Sequence, residues 1–505
     1  MSVETQVRVA PNPFFALMVG LGAVVLAAGI IAGGALAVFA LFAAAAFVIF
    51  CFYPVLGLYA TTATLLLSGS AGVIGYVSTE AAFAVTISKL CGIAALAAWA
   101  VNILMRKLRF EFSWPVVFIS AFCLWTILGV TMSEDYVYIS SEWLRLITLL
   151  GYFLLAVNTL NTPRKLHTYI IVILVCGLFS AISGIVQLLM MTPYPPEIEG
   201  GISLGAVDAA YIDQESLSGA AAIRVSGRAG HSNWLSLLIL LVLPMNFYWF
   251  SAAKTKTLKI FIAGLVCIEM IALILTYTRT GLLVGVVLVA LLFFRRFYRV
   301  TPLRVFALLF GLVIAWMVLP APYKERVLSP KQYTTSKSVQ SRLELQGAAL
   351  RYSLENPIVG LGIGGFGCSF VHENNPTAQI MQLMVDHQGW LPTFIGTHNM
   401  YLQIAADSGY VGLALFLLFI FFTMRGVHRA ELRFRAEGDT QAAELASTLF
   451  VSLIGFMLCA VFLHALNQKI WWMICAAAVV LPMYSFDFKE KFPPILPIST
   501  EAPSK

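Results

Sequence analysis

Charged residues are scarce in this chain. Asp, Glu, Lys and Arg make up 11% of its 505 residues, whereas 60% are hydrophobic and the mean hydropathy is +0.86. Soluble domains carry about 25% charged residues, so this composition excludes a soluble globular protein. The long apolar runs predict membrane-spanning helices, each of which needs about 20 apolar residues. Because these runs do not alternate with polar residues, a transmembrane β-barrel is also excluded.

The sequence also lacks a disulfide framework and a recognisable metal site. All cysteines except Cys368 lie inside apolar runs, where cysteine is usually a small packing residue. No Asp-x-Asp pair occurs, and no His, Cys or Glu cluster has the spacing of metal ligands. We therefore expect neither a metal ion nor another cofactor.

The apolar runs predict an all-α polytopic membrane protein with about 12–14 transmembrane helices. The runs lie near 14–33, 35–52, 53–68, 82–104, 115–132, 142–159, 167–190, 232–250, 258–277, 280–295, 303–320, 410–424, 446–465 and 469–486. Basic clusters fall in every second loop, which places those loops and both termini in the cytoplasm. The net charge of +7 then belongs to cytoplasmic loops, and no nucleic-acid partner is expected.

This topology divides the chain into alternating membrane and aqueous parts, with one large external loop before the last three spans. The predicted parts are N-terminal spans 1–190, an external loop 191–231, spans 232–320, a large external helical loop 321–409, spans 410–486 and a cytoplasmic tail 487–505. A long polar loop held at both ends by the membrane is a suitable place for chemistry on a membrane-borne substrate.

The outward-facing arginines stand out because cations are disfavoured on that side. Arg224 and Arg228 precede Ser232 and Asn233, which can cap the next helix, so this segment is a candidate anion site at a helix N-terminus. The alternative is an ordinary capped span with arginines bound by solvent or lipid headgroups. Arg279 lies in a turn so short that it stays at membrane level, where a charge is functional or paired with a carboxylate.

The large loop supplies further candidates. Segment 340–354 alternates polar residues with leucines, which predicts an amphipathic helix on the membrane surface carrying Arg342 and Arg351. For Arg351, a solvated helix face is an equal alternative. The glycine pattern over 362–367 has no βαβ context, so a flexible turn is favoured over a nucleotide site.

His398 lies at the aqueous boundary of a predicted span, where an imidazole can accept a proton near neutral pH. Its spacing from Asp407 does not form a dyad on one helix face. His231 and His387 are rivals that spacing alone does not eliminate.

Taken in order, these motifs resemble the O-antigen ligase/polymerase superfamily. They are Arg-x-x-Gly before a span, Thr-x-Thr-Arg-Thr-Gly at 276–281, Ser-Arg at 341–342, Asn-Pro-x-x-Gly-x-Gly at 356–362 and His-Asn-x-Tyr-Leu at 398–402. The resemblance covers roughly residues 220–425. The chain departs from the family pattern at Thr278, where serine is usual, and at Asp407, where glutamate is usual.

The resemblance implies a membrane glycosyltransferase C-like fold and a metal-independent, inverting glycosyltransferase in the bacterial inner membrane, with its active site facing the periplasm or exterior. Its partners would be an undecaprenyl-diphosphate-linked glycan donor, a glycan or lipid-core acceptor and membrane lipids. The positions that match the family motifs are Arg224, Arg279, Arg342 and His398. From their chemistry we expect His398 to act as the catalytic base and Arg224 and Arg279 to bind the diphosphate. We expect Arg342, Arg228, Asn399, Arg351 and Tyr401 to bind substrate.

Several functions stay open at this stage. A ligase and a polymerase need the same diphosphate clamp and differ in acceptor only. A lipid-linked glycan flippase or transporter is a different class, although no inverted repeat or pair of broken helices is apparent. A purely structural assembly partner would tolerate loss of all the matched side chains.

Overall fold

The computed structural model describes residues 35–67, 73–76, 84–105, 110–132, 136–189, 224–296, 316–317, 324, 337–373 and 395–484. The predicted span 14–33, the tail 487–505 and the rival His387 lie outside these residues. The predicted span 303–320 also lies outside them, except for residues 316–317.

The chain divides into two compact units, Met1–Glu111 and Phe112–Lys505. The described elements of the first unit are α1 Ala35–Phe52, α2 Pro54–Leu67, strand β1 Val73–Tyr76, strand β2 Ala84–Thr86 and α3 Ile87–Leu104. The two strands form an antiparallel hairpin. The Asn102 side chain donates to the Cys51 carbonyl at 3.1 Å, which ties α3 to α1 by a buried hydrogen bond. Such bonds satisfy polar groups where no water reaches them.

The second unit contains the remaining described helices. They are α4 Trp114–Met132, α5 Tyr136–Thr159, α6 Pro163–Leu189, α7 Ser232–Ala252, α8 Lys256–Leu275, α9 Arg279–Arg296, α10 Lys337–Glu355, α11 Gly365–Glu373, α12 Met400–Ala436, α13 Thr440–Ala460 and α14 Lys469–Val480, with 3-10 turns at Gly227–Ala229 and Leu481–Met483.

The helical membrane architecture predicted from the sequence is confirmed. Seven described helices are long and apolar enough to cross a membrane, and two shorter apolar helices accompany them. Apart from the two spans outside the described residues, each predicted span overlaps a helix. The apolar runs locate helices well because every backbone N–H and C=O must be bonded within its own segment in lipid.

Burial separates central helices from peripheral ones. In α7 and α13, 78% and 72% of the most apolar window is buried, whereas in α8 only 22% is buried. All three helices are apolar, so hydropathy alone does not distinguish them. The core between α13 and α14 includes Phe456 and Trp471, whose rings stack with centroids 3.8 Å apart. The central position of α7 and α13 brings their ends against the external segments.

Segment 340–354 forms the predicted helix, which is α10. One face, with Leu345, Ala349 and Tyr352, is buried against Phe366 and Ala406. The helix therefore uses this face to pack on the protein. A second apolar stripe, Leu343, Leu350 and Leu354, is exposed.

The predicted boundary of the span at 410–424 differs from the structure. Helix α12 runs from Met400 to Ala436 and contains a break at Gly409, whose φ of 67° is not helical. Residues 425–445, which lie between two predicted spans, are therefore mostly the continuation of α12 and the start of α13.

Candidate active site

Arg224 is held beside the turn that carries Arg279. Its Nε donates to the Thr276 carbonyl at 3.1 Å, and its Nη2 donates to Asn233 Oδ1 at 3.3 Å. The next residue, Val225, donates its N–H to the Leu275 carbonyl. Arg224 therefore bridges the end of α8 and the start of α7, and it bonds a carbonyl three residues before Arg279.

The turn at 276–279 is built from a sharp backbone bend and a chain of hydroxyls. Tyr277 has a positive φ of 51°, which is uncommon for a residue with a side chain. The Thr278 hydroxyl donates to Ser236 of α7 at 3.0 Å and lies 3.0 Å from the Thr276 hydroxyl. Arg279 follows as the first residue of α9, so its backbone position is set by both neighbouring helices.

His398 also lies in a constrained backbone segment. Its φ is 53°, again in the left-handed region. Asn399 caps α12 by accepting from the N–H groups of Tyr401 and Leu402 at 3.0 and 3.1 Å. Thr397 donates its hydroxyl to the Asn399 carbonyl at 2.6 Å and its N–H to Gln403 at 2.9 Å. These bonds fix the peptide on both sides of His398.

One ring nitrogen of the His398 imidazole, Nδ1, is buried and has no hydrogen-bond partner among the described residues. A buried ring nitrogen without a protein partner is uncommon, because burying an unsatisfied polar group costs about 1–3 kcal/mol. Such an atom marks a place where a substrate group could bond.

His464, which our sequence analysis did not single out, is the ring neighbour of His398. The two rings meet edge to face with centroids 5.5 Å apart, and Trp234 contacts the other side of His464 at 5.6 Å. Gly396 allows this approach, since a Cβ there would lie 2.6 Å from the imidazole. Nδ1 of His464 is likewise buried without a hydrogen-bond partner among the described residues.

Burial, helped by nearby positive charges, keeps these histidines neutral. Burial, His464, Arg342 and His231 together lower the pKa of His398 to about 2. Burial and the charges of Arg224, His464 and Arg342 lower the pKa of His231 to about 4. Arg342 therefore lies close enough to both rings to act on their titration. The arrangement places uncharged imidazoles within reach of arginine charges, which suits an anion beside a group that accepts a proton.

Of the rival histidines, His231 has a structural role in the described fold. It is the N-cap of α7, and its Nδ1 accepts from the Asn233 N–H at 3.0 Å. Asn233 in turn binds Arg224. His231 therefore orients a partner of Arg224, whereas Nδ1 of His398 has no such bond.

Asp407 anchors the glycine-rich turn on the break in α12. The buried carboxylate accepts from the N–H groups of Gly364 at 3.1 Å and Phe366 at 3.0 Å, and from the Gln403 amide at 2.9 Å. The same Gln403 binds Thr397, beside His398. Two N–H groups of the turn at 362–367 are thus held by a carboxylate, and the flexibility expected from its glycines stays a prediction.

Two glycines permit this docking. A Cβ on Gly409 would lie 2.2 Å from the Ile358 carbonyl oxygen, and one on Gly360 would lie 2.5 Å from the Asp407 backbone. Both have positive φ values, 67° and 74°, which residues other than glycine disfavour. The Asn-Pro-x-x-Gly-x-Gly turn and the Asp-Ser-Gly sequence are thus two halves of one contact.

We expect substitution of Asp407 to destabilise this contact. In Asp407→Ala, two backbone N–H groups and the Gln403 amide lose their acceptor, and each unsatisfied group costs about 1–3 kcal/mol. Asp407→Asn should show a smaller loss because one oxygen remains. Thermal unfolding of the detergent-solubilised protein measures the effect. Glu344→Gln, which changes an exposed acid on α10, is the control and should unfold like the wild type. Equal stability of Asp407→Ala and the control would contradict this role.

The remaining predicted substrate-binding residues have protein partners or are exposed. Arg351 binds Glu373 through two bonds of 2.6 Å, which together with the Tyr352 hydroxyl lower the pKa of Glu373 to about 2. Tyr401 donates its hydroxyl to the Met457 carbonyl at 3.1 Å. Asn399 is the cap described above, and Arg228 is exposed on the turn before α7. Substrate binding by these four residues stays a prediction.

Glu142 of α5 lies under the same turn. It is buried, accepts from the Asn467 amide at 2.9 Å and pairs with Arg145 at 3.0 Å. A Cβ on Gly364 would lie 3.0 Å from its side chain. Our sequence analysis did not single out Glu142. Its contact with Asn467 joins α5 to the segment that carries His464.

Comparison with known proteins agrees with the motif pattern. A family model described as O-antigen ligase matches residues 262–417. The matched segment includes Arg279, Arg342 and His398, whereas Arg224 and His464 lie outside it. No curated protein matches the chain.

Proposed function

We propose, from the membership of the O-antigen ligase family that the match over residues 262–417 supports, that this protein is a membrane glycosyltransferase. It transfers a glycan from an undecaprenyl-diphosphate carrier to an acceptor hydroxyl in the synthesis of a cell-surface polysaccharide. The observation that carries the proposal is a half-buried, neutral His398 within the electrostatic reach of Arg342, beside His231, which feels both Arg342 and Arg224. Arg224 in turn bonds the turn that precedes Arg279.

The donor diphosphate binds to the arginines. As the bond from the sugar carbon to the phosphate oxygen breaks, negative charge develops on the diphosphate. Guanidinium groups fixed in a site with little water stabilise that charge strongly, and they can bind phosphate oxygens in pairs. The bond from Arg224 to the Thr276 carbonyl, three residues before Arg279, supports this shared role. Arg342 orients the glycan or the second phosphate.

His398 accepts the proton of the acceptor hydroxyl. The acceptor oxygen forms the new bond to the anomeric carbon, the undecaprenyl diphosphate leaves from the opposite face, and the anomeric configuration inverts. The imidazole begins neutral, as a base must. Burial, with a smaller contribution from the charge of Arg342, lowers its pKa in the free protein. Binding of the anionic donor offsets that charge, which raises the pKa and makes the histidine a better base when both substrates are present.

The site faces the periplasm or cell exterior in this proposal. Basic residues cluster at the helix ends far from the site, including 425–435 at the end of α12. This clustering supports a cytoplasmic location for those ends. The enzyme is then a multi-pass protein of the bacterial inner membrane that acts on carrier lipids in the outer leaflet.

An in vitro transfer assay tests the function directly. Purified protein is given a defined carrier-linked glycan and an acceptor glycan, with and without a chelator. We expect a glycosidic product of inverted configuration, formed at the same rate with chelator, since the proposed charge stabilisation comes from arginines. A retained configuration or complete inhibition by the chelator would contradict the mechanism. Movement of labelled carrier across vesicles with no glycosidic product would favour a flippase instead.

A cellular experiment distinguishes the acceptor of a polymerase from that of a ligase. Loss of long polysaccharide chains in a deletion strain indicates a polymerase, whereas accumulation of unattached long chains indicates a ligase. The diphosphate clamp is common to both, so the residues described above do not distinguish the two acceptors.

A further inference from the structure

A cavity lies along the part of α12 that is distant from His398. Its volume is about 460 Å³, and it lies between the start of α4, the middle of α12 and the end of α14. From Met400 to Arg425, α12 rises roughly 40 Å at 1.5 Å per residue. The cavity is therefore separate from the candidate active site and is not part of the proposed transfer reaction.

Two arginines line this cavity one helical turn apart. Arg425 and Arg429 are both exposed, and neither has a carboxylate within ion-pair distance among the described residues. The Arg425 guanidinium lies over the Phe421 ring at 5.9 Å. By contrast, Arg435 on the next turns is paired with Glu431. Among the residues that the structure describes, the cavity thus concentrates positive charge without a carboxylate counter-ion.

The opposite wall adds polar groups that suit an anion. Ser113 lines the cavity just before α4, and its hydroxyl is buried without a hydrogen-bond partner in the part of the chain that the structure describes. The first N–H groups of a helix have no carbonyl partner within it and carry partial positive charge. The segment after α14, which includes Pro482, forms a third wall of the cavity. Arg433 holds this segment in place by donating to the carbonyls of Pro482 and Tyr484 at 3.3 and 2.9 Å.

The same cavity has an apolar side that a free anion would not use. Trp114, Phe118 and Phe422 form a stack with centroid distances of 5.2 to 5.9 Å. Trp114 is 63% exposed, which is typical of tryptophan at the level of lipid headgroups. Ala478 and Val479 complete the apolar wall.

We propose that this cavity binds the phosphate headgroup of an anionic phospholipid, with Arg425 and Arg429 on the phosphate and the aromatic stack along the start of the acyl chains. Ser113 donates its hydroxyl to the same phosphate. The bound lipid joins the ends of α4, α12 and α14 on the side of the membrane opposite the candidate active site. This site holds lipid as a structural ligand and does not depend on glycan transfer.

The test measures lipid binding by full-length protein purified in detergent. Phosphatidylglycerol, phosphatidylcholine and inorganic phosphate are added separately, and binding is followed by native mass spectrometry and by the rise in unfolding temperature. We expect phosphatidylglycerol to bind and to stabilise the protein. The double variant Arg425→Ala/Arg429→Ala should bind it at least about tenfold more weakly, since each arginine contributes about a factor of five near a lipid surface.

Two further variants sharpen the test. Arg164→Ala removes an exposed arginine at the start of α6 and should bind phosphatidylglycerol like the wild type. Gly426→Leu fills the cavity without removing charge, because a Cβ there meets only Pro482 at 3.5 Å, and it should also lose binding. Equal binding by wild type and double variant would overturn the proposal. Binding of phosphatidylcholine or inorganic phosphate as tight as that of phosphatidylglycerol would overturn it as well.

Discussion

Glycan transfer by a His398→Ala variant is expected to fall about 10²–10⁴-fold, the usual contribution of a positioned general base. The acceptor hydroxyl then loses the imidazole that takes its proton, and the Asp407 carboxylate does not replace it, because it is occupied by two backbone N–H groups and Gln403. The measurement is the initial rate of product formation with a defined carrier-linked glycan. Full activity would remove His398 as the base.

The controls separate chemistry from folding. His428→Ala removes an exposed histidine of α12 that lies against Phe450 and should transfer at the wild-type rate. His398→Gln keeps a polar side chain of similar length but no base, so it should be as inactive as the alanine variant. If His398→Gln retained most of the activity, the residue would position the acceptor rather than deprotonate it.

The pH dependence of the wild type gives an independent check on the same residue. In the free protein, burial and neighbouring cations lower the pKa of His398 to about 2, so the base form is present throughout the neutral range and is lost only at low pH. An anionic donor offsets the cations and raises this pKa. The acid limb of kcat, which reports the substrate complex, should therefore lie at higher pH than the acid limb of kcat/KM.

The second large effect is expected at the arginines of the 276–279 turn. Arg279→Ala and Arg224→Ala should each lower kcat/KM about 10²–10³-fold, as the loss of one stabilising group for a developing anion does. Arg224→Lys should recover little, because Arg224 donates from two different nitrogens to Thr276 and Asn233 and an ammonium group does not reproduce that geometry. Arg279→Lys should recover more if its role is charge alone.

Arg164→Ala is the matched control, since it removes an exposed arginine far from the turn in the sequence. Unfolding temperatures measured alongside the rates show whether the Arg224 variants lose the turn itself. A normal rate in both Arg224→Ala and Arg279→Ala would contradict the diphosphate clamp. A normal rate in one alone would reassign the clamp to the other arginine together with Arg342.

Some of the site could be predicted because its signals are local. Arg279 was predicted because it falls in a short turn between two apolar runs, and His398 because it precedes one. The number of residues between two such positions does not show whether they meet in the folded protein. Arg224 is 52 residues from Thr276, and only the folded structure places its Nε at 3.1 Å from that carbonyl.

His464 illustrates what sequence analysis missed. It lies between α13 and α14 in a segment with no glycine turn, no second charge of the expected sign and no recognised motif. Its importance arises from its ring contact with His398, which comes from a segment before α12. A signal that could have found it is a histidine at the outer end of a predicted span, the same criterion that selected His398.

Hydropathy and charge are sums over neighbouring residues, so the sequence by itself determined the helical spans, their expected orientation and the motifs that resemble the O-antigen ligase family. The tertiary structure alone decided which of these motifs meet. It paired the glycine-rich turn with Asp407, Arg224 with the Thr276 turn, and His398 with His464. The physical reason is that these contacts join segments that are distant in the chain. Their hydrogen bonds and close packing depend on which helices pack together, and helices of equal hydropathy do not reveal this from their sequence.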